Sequence, residues 1–334
     1  MSRKRHTGLV ILIILEVIIL AVVVILGIWK KLNPQKDTRT INTTEATTES
    51  TTEAAVTEET ATTTEAQTPA EPELSQAIQD RIANLTLEEK VSLMFVVSPE
   101  KLTGEEKVTI AGDVTRNCLS QFHVGGLSYS HSNYGDDQQM NELLTNTKTM
   151  AVEIMNYMPV MFARDDTSAD ILCATTQNVD GLCTALRTED GVRTAESGAQ
   201  VQVIPRYSGD GTAPADTGIV MFEAVSDADN NLLCMSAEDI QTYRNENNYY
   251  GIIMTGRLDD ASVTGQYTPA QAAIAAIKAG VDMVYEPADF AEAYNAVVAA
   301  ADAGELSMEA IDKSAGRVLA YMESIGNLTG EGNE

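Results

Sequence analysis

The stretch that most constrains the fold is residues 248–285. Within NYYGIIMTGRLDD (248–260), Gly251 leads into the apolar run Ile252, Ile253 and Met254, and Thr255, Gly256 and Arg257 end it. A short apolar run bounded by turn residues fits an inner strand of a parallel sheet, although that pattern alone also fits a piece of buried helix. The residues after Asp260 decide between them. Thr268-Pro269-Ala270-Gln271 is a capping box with proline at the first helical position, an alanine-rich helix runs to Lys278, and Gly280 stops it. A second apolar strand comes next at 281–285. Strand, helix, strand is a parallel βαβ unit, and such units carry their chemistry at the C-terminal ends of the strands. Gly256 stands at such an end.

The same alternation runs back toward the N-terminus. Thr86 and Glu89 form a capping box ahead of Val91, Leu93 and Met94, and residues 93–97 fit a first strand. His123-Val124-Gly125-Gly126-Leu127-Ser128-Tyr129 is a turn into a second strand, 138–156 has helical spacing, and 159–163 is a third strand ending in Arg164-Asp165-Asp166. Between 170 and 198 the rhythm fails, because Thr, Asn, Asp and Gly are frequent and no amphipathic helix can be drawn. Strands resume at 199–204 and 218–225, followed by helices at 235–246, capped by Ser236 and Asp239, at 288–303 and at 308–324. Alternating helices and strands mean a parallel sheet, open or closed into a barrel.

Not all 334 residues belong to that domain. Residues 8–29 are apolar except for Glu16, long enough at ~1.5 Å per residue to cross a ~30 Å hydrocarbon core. A cleaved secretory signal is the rival reading, but the run ends Gly-Ile-Trp-Lys-Lys without a small-residue cleavage site, which favours an uncleaved anchor. Residues 30–73 are rich in Thr, Glu and Ala and poor in large apolar side chains, so they read as a flexible stalk. The expected organisation is therefore a cytoplasmic tail at 1–7, an anchor at 8–29, a stalk at 30–73, an α/β domain at 74–326 outside the membrane, and a disordered tail at 327–334. A net charge of −27 with no basic patch argues against nucleic acid and anionic polymers as partners. Four cysteines are too few for a disulfide framework, although Cys173 and Cys183 could close a small loop, and no clustered Cys/His spacing suggests a metal.

Several segments, in order, resemble one family. LTLEEKVSLMF from Leu85, FHVGGLSYS from Phe122, PVMFARDD from Pro159, NYYGIIMTGRLDD from Asn248 and the tail from Ser262 to Leu319 are similar to the N-terminal domain of glycoside hydrolase family 3, in its β-N-acetylhexosaminidase branch. The resemblance implies a (β/α)8 TIM-like barrel, here with a shortened or irregular quarter near 170–198. It also implies hydrolysis of terminal β-N-acetylglucosamine, no cofactor, and a carbohydrate partner such as peptidoglycan.

The catalytic residues do not carry over. Retaining glycosidases need a carboxylate nucleophile and a proton donor on opposite sides of the anomeric carbon. The family's nucleophilic aspartate falls on Gly256, which has no side chain to attack with. Aligning the family's donor loop on Pro205 to Gly218 puts Arg206 at a sugar contact, leaves Asp216 as the orienting partner and places Gly218 at the donor histidine. Asp165 keeps the first position of a sugar-binding loop, while Arg206 and Arg257 could grip a carboxylate. Tyr129 and His131 stand near a strand end and could stack on sugar; His123 reads as structural. Two functions stand as expectations: a degenerate barrel that binds glycan or serves as a scaffold, or a working hexosaminidase using Asp216, Asp259, Asp260 or Asp210.

Overall fold

A computed structural model describes residues 71–164, 171–174, 182, 201–209, 217–224 and 232–329. Residues 66–334 form one compact unit. Among the described residues no helix is long and apolar enough to cross a membrane, and the anchor expected at 8–29 lies outside them.

The core is one sheet in the order β5-β4-β3-β2-β1-β9-β8-β7-β6. Its strands are β1 (Phe95–Val97), β2 (Gly126–Tyr129), β3 (Val160–Arg164), β4 (Ile171–Ala174), β5 (Val201–Val203), β6 (Arg206–Tyr207), β7 (Ile219–Phe222), β8 (Ile252–Arg257) and β9 (Met283–Tyr285). Strands β3-β2-β1-β9-β8-β7-β6 run parallel. Every residue of β1, β2, β7 and β9 is buried, the signature of a parallel sheet covered on both faces.

The expected eight-fold alternation fails where its rhythm failed in the sequence. β4 pairs antiparallel with β3, and β5 antiparallel with β4. The strand expected at 199–204 exists, but as the end of this antiparallel extension rather than as another βα repeat. The described sheet is thus seven parallel strands with a two-stranded antiparallel edge, a half-barrel in place of a full (β/α)8 ring.

The helices are α1 (Gln76–Asn84), α2 (Leu87–Leu93), α3 (Pro99–Thr103), α4 (Asp113–Gln121), α5 (Asp137–Met155), α6 (Ala237–Asn247), α7 (Ala261–Thr264), α8 (Pro269–Ala279), α9 (Phe290–Asp302) and α10 (Met308–Ser324). The capping boxes read from sequence at Thr86/Glu89 and Thr268/Gln271 are both formed. Gly125 admits no side chain: a Cβ there would lie 1.9 Å from the Leu93 carbonyl oxygen.

The domain extends beyond the expected 74–326. Glu71 accepts hydrogen bonds from Arg317 Nε (2.9 Å) and Nη2 (2.5 Å). At the other end Asn327 is buried, its carbonyl accepting from Met158 N at 2.9 Å, and Leu328 bridges to Tyr157. Residues 327–329 are therefore part of the fold.

The pole at the strands' N-terminal ends is organised on one acid. Asp282, fully buried just before β9, accepts from Ile253 N (2.8 Å) and Arg244 Nη2 (2.5 Å) through Oδ2, and from Ser314 Oγ (2.9 Å) and Arg317 Nη1 (2.8 Å) through Oδ1. It ties β8, α6 and α10 to the start of β9.

Candidate functional site

The opposite pole gathers charge from segments far apart in sequence. Lys101, in the short helix after β1, places its Nζ 2.6 Å from Asp259 Oδ2 and 2.9 Å from Glu286 Oε2. Arg164, the last residue of β3, approaches the same Glu286 oxygen at 3.3 Å. Arg257, the last residue of β8, donates Nε and Nη2 to the two oxygens of Asp259 at 2.8 and 2.9 Å, a bidentate fork. One ammonium thus joins the segments following β1, β8 and β9, and Glu286 extends the network to β3. A second pair, Arg206 of β6 with Glu223 after β7, stands on the same pole.

Glu286 is the unusual member. Its side chain is 0% exposed, and although Lys101 and Arg164 are close, neither carboxylate oxygen receives a well-directed hydrogen bond among the described residues. Its backbone has φ +47°, a left-handed conformation that a non-glycine residue adopts only when its surroundings enforce it. Burial drives its pKa up, with Asp259 adding to the effect, and the two cations only partly oppose this. Asp259 goes the other way. Burial pushes it up, but the Arg257 hydrogen bonds and the Lys101 charge outweigh that and hold it below its ordinary value.

These directions have opposite consequences for stability. Glu286, raised from 4.5, contributes fully below that pH and loses its contribution as pH rises through the folded value. Asp259, lowered from 3.8, contributes above that pH and loses it as pH falls through its folded value. The unfolding free energy of the wild type relative to Glu286→Gln, measured by urea titration across pH, is therefore expected to decline as pH rises above 4.5. A difference independent of pH would refute this assignment.

At Gly256, where the resemblance expects a carboxylate, the structure leaves no room for a side chain. Met254 pairs with Met283 and Arg257 with Tyr285, so three steps on β8 face two on β9, and Thr255 and Gly256 form a bulge. Thr255 Oγ1 accepts from Tyr285 N at 2.9 Å within it. A Cβ on Gly256 would lie 2.6 Å from Ala224 N, because the backbone leaving β7 occupies that space.

Gly218 requires a correction. It directly precedes β7, and the pairing of Ile219 with Ile252 puts it level with Gly251, at the N-terminal end of the strands. It lies five residues down the strand direction from Gly256, about 16 Å at ~3.3 Å per residue. A side chain there would meet Tyr321 of α10 at 2.3 Å. The two glycines do not share a pocket, so the alignment that made Gly218 a proton-donor position is wrong. It matched glycine spacing without regard to which pole each residue reaches.

The remaining candidates divide clearly. Tyr129 is 1% exposed and turned beside Thr147 of α5, so it offers no ring to a sugar. Arg257 and Arg206, expected to hold a ligand carboxylate, already hold Asp259 and Glu223. Asp260 caps α7, accepting from Ser262 N at 2.8 Å. His123 lies at the opposite pole with Nδ1 3.3 Å from Glu89, which fits its structural reading. Asp165, Asp210, Asp216 and Cys183 lie outside the described residues. Sequence reasoning missed Lys101, Arg164, Glu223 and Glu286. The usable signal was position: Glu223 directly follows the run IVMF and Glu286 the run MVY, each a polar residue at a parallel-strand end.

Comparison with known proteins agrees with this architecture. The structure resembles that of a glycoside hydrolase family 3 β-N-acetylglucosaminidase from Paenibacillus sp. str. FPU-7, with TM-score 0.51 and 17% identity, covering 75% of this chain and 64% of that one. It also resembles a fungal multi-domain family 3 β-N-acetylglucosaminidase, with TM-score 0.51 and 10% identity over 75% of this chain and 41% of that one. This chain thus spans less than two thirds of either, and at these identities the likeness is one of fold. No curated protein matches the chain. Over residues 213–321, about a third of its length and reaching into α10, the chain matches the model of the Glycosyl hydrolase family 3 N terminal domain.

Proposed function

We propose that this chain is a membrane-anchored domain displayed outside the cell, which binds glycans containing β-N-acetylglucosamine, such as peptidoglycan, without cleaving them. The family match and the names of its structural neighbours supply the carbohydrate class. Residues 8–29 supply the anchor and 30–73 the stalk. The observation that carries the loss of hydrolysis is the filled space at Gly256, where the Ala224 backbone stands in the way of any side chain. The nearby acids do not replace it. Glu223, Asp259 and Glu286 each face a cation of the chain itself, an arrangement suited to holding strand ends together.

The expected result is no release of aryl alcohol from an aryl β-N-acetylglucosaminide by the full chain, with saturable binding of a muropeptide or chitooligosaccharide by calorimetry. Turnover abolished by Asp259→Ala would sink this reading.

A second reading keeps hydrolysis. It rests on the opposite pKa directions of Asp259 and Glu286, since a carboxylate held ionised beside one biased toward its neutral acid is the pairing acid–base chemistry needs. Under it, Glu286→Gln and Asp259→Asn would each abolish turnover that the wild type shows.

A further inference from the structure

The loops after β1 and β2 share a rim built apart from the charged cluster. Its centre is Asn133, which is fully buried. Asn133 Nδ2 donates to Glu100 Oε1 (2.6 Å) and to the Val108 carbonyl (2.8 Å), while its Oδ1 accepts from Ser130 N at 2.8 Å. Glu100 Oε1 also accepts from Val108 N at 2.9 Å. Gln139 Nε2 donates to the Thr109 and Asn133 carbonyls at 2.5 and 3.2 Å. Each polar group in this clamp fixes loop backbone from beneath.

Beside this clamp stand an exposed isoleucine, an exposed imidazole and a half-buried phenol. Ile110, next to Thr109, is 73% exposed. His131 is exposed, and its ring lies within 24° of parallel to that of Tyr134, with centroids 6.1 Å apart. The Tyr134 hydroxyl donates to Asp137 Oδ1 at 2.6 Å, which fixes the backing ring. Tyr134 is half-buried against the core, which holds the ring pair in place, while Ile110 and His131 stay at the surface. A rigid aromatic surface with a polar edge is well suited to a ligand, because little conformational freedom is lost on binding.

We propose that Ile110, His131 and Tyr134 form a stacking platform for the apolar face of a pyranose ring in a neutral glycan. A pyranose presents a flat array of C–H bonds to such rings and hydroxyls to the polar edge. The chain's net charge of −27 disfavours anionic polymers and leaves an uncharged partner as the better match. This inference rests on the glycan-binding reading and assigns the surface that performs it. It moves the sugar contact from the buried Tyr129 to residues beyond the end of β2.

The sequence provides its own probe. The chain has three histidines, His6, His123 and His131, and the latter two flank β2 at opposite poles. Chitotetraose is titrated into the full chain in detergent while the imidazole resonances are followed, and calorimetry is run on the wild type and on His131→Ala/Tyr134→Ala. The expected result is movement of the His131 signal with His123 unmoved, and an affinity about tenfold weaker in the double variant, measured below its melting temperature, with the single variant His131→Ala weakened in the same direction. Chitotetraose binding within twofold of wild type in the variant, with His131 unmoved, overturns the platform and leaves the glycan reading standing. Absence of binding by the wild type overturns both.

Discussion

Asp282→Ala is expected to cost about 3–5 kcal/mol of unfolding free energy, the range for removing one partner of a buried ion pair. Asp282 is fully buried, and its two oxygens satisfy Arg244, Arg317, Ser314 and the amide of Ile253. The side chains of Arg244 and Arg317 are themselves only 12% and 14% exposed. Truncation would leave two enclosed guanidinium groups facing a cavity, and among the described residues only Arg317 keeps a second carboxylate, that of Glu71. Urea denaturation of the wild type and variant reads the loss directly. A change below about 1 kcal/mol, the size of an exposed pair, would show that solvent already reaches this pole.

The second large effect is an absence. Gly256→Asp puts an aspartate where the resemblance to family 3 expects a nucleophile, and is expected to yield no turnover of an aryl β-N-acetylglucosaminide while destabilising the domain by about 1–3 kcal/mol, as overpacking does. The obstacle is backbone. The Cβ would lie 2.6 Å from Ala224 N and 3.3 Å from the carbonyl carbon of Glu223, neither of which can swing aside as a side-chain tip could. Relief requires the segment after β7 to move, carrying Glu223 away from Arg206. Turnover above the wild-type blank would mean that the single substitution is enough to rebuild the chemistry, and that the bulge is no barrier to it.

The parts legible in the sequence were those governed by local patterning. α10 runs from Met308 to Ser324 as its spacing predicts, and β8 and β9 bracket α8 as the βαβ pattern requires. Local rules could not show where chain-distant side chains meet. Lys101 joins Asp259 across 158 positions and Arg317 joins Asp282 across 35, and neither lysine nor arginine carries a mark of its partner. The Gly218 error has the same origin. Glycine spacing says nothing about which end of a strand a residue occupies, whereas the pairing of β7 with β8 settles it. Tyr129 failed for a subtler reason: being at the end of a strand does not decide whether a ring turns toward the pole or toward the covering helix, and here it turns toward α5.

Strand β9 is only three residues long, yet a buried acid stands immediately before it and another immediately after it. Asp282 and Glu286 stand four residues apart and reach different partners, Asp282 the covering helices α6 and α10 and Glu286 the cations Lys101 and Arg164. A slip of one residue would displace both at once, separating Asp282 from Arg244 and Arg317 and Glu286 from Lys101. The two acids therefore act as a ruler. They measure the strand from both ends and admit one register, so a segment too short to define its own alignment by hydrophobic pattern is set by charge.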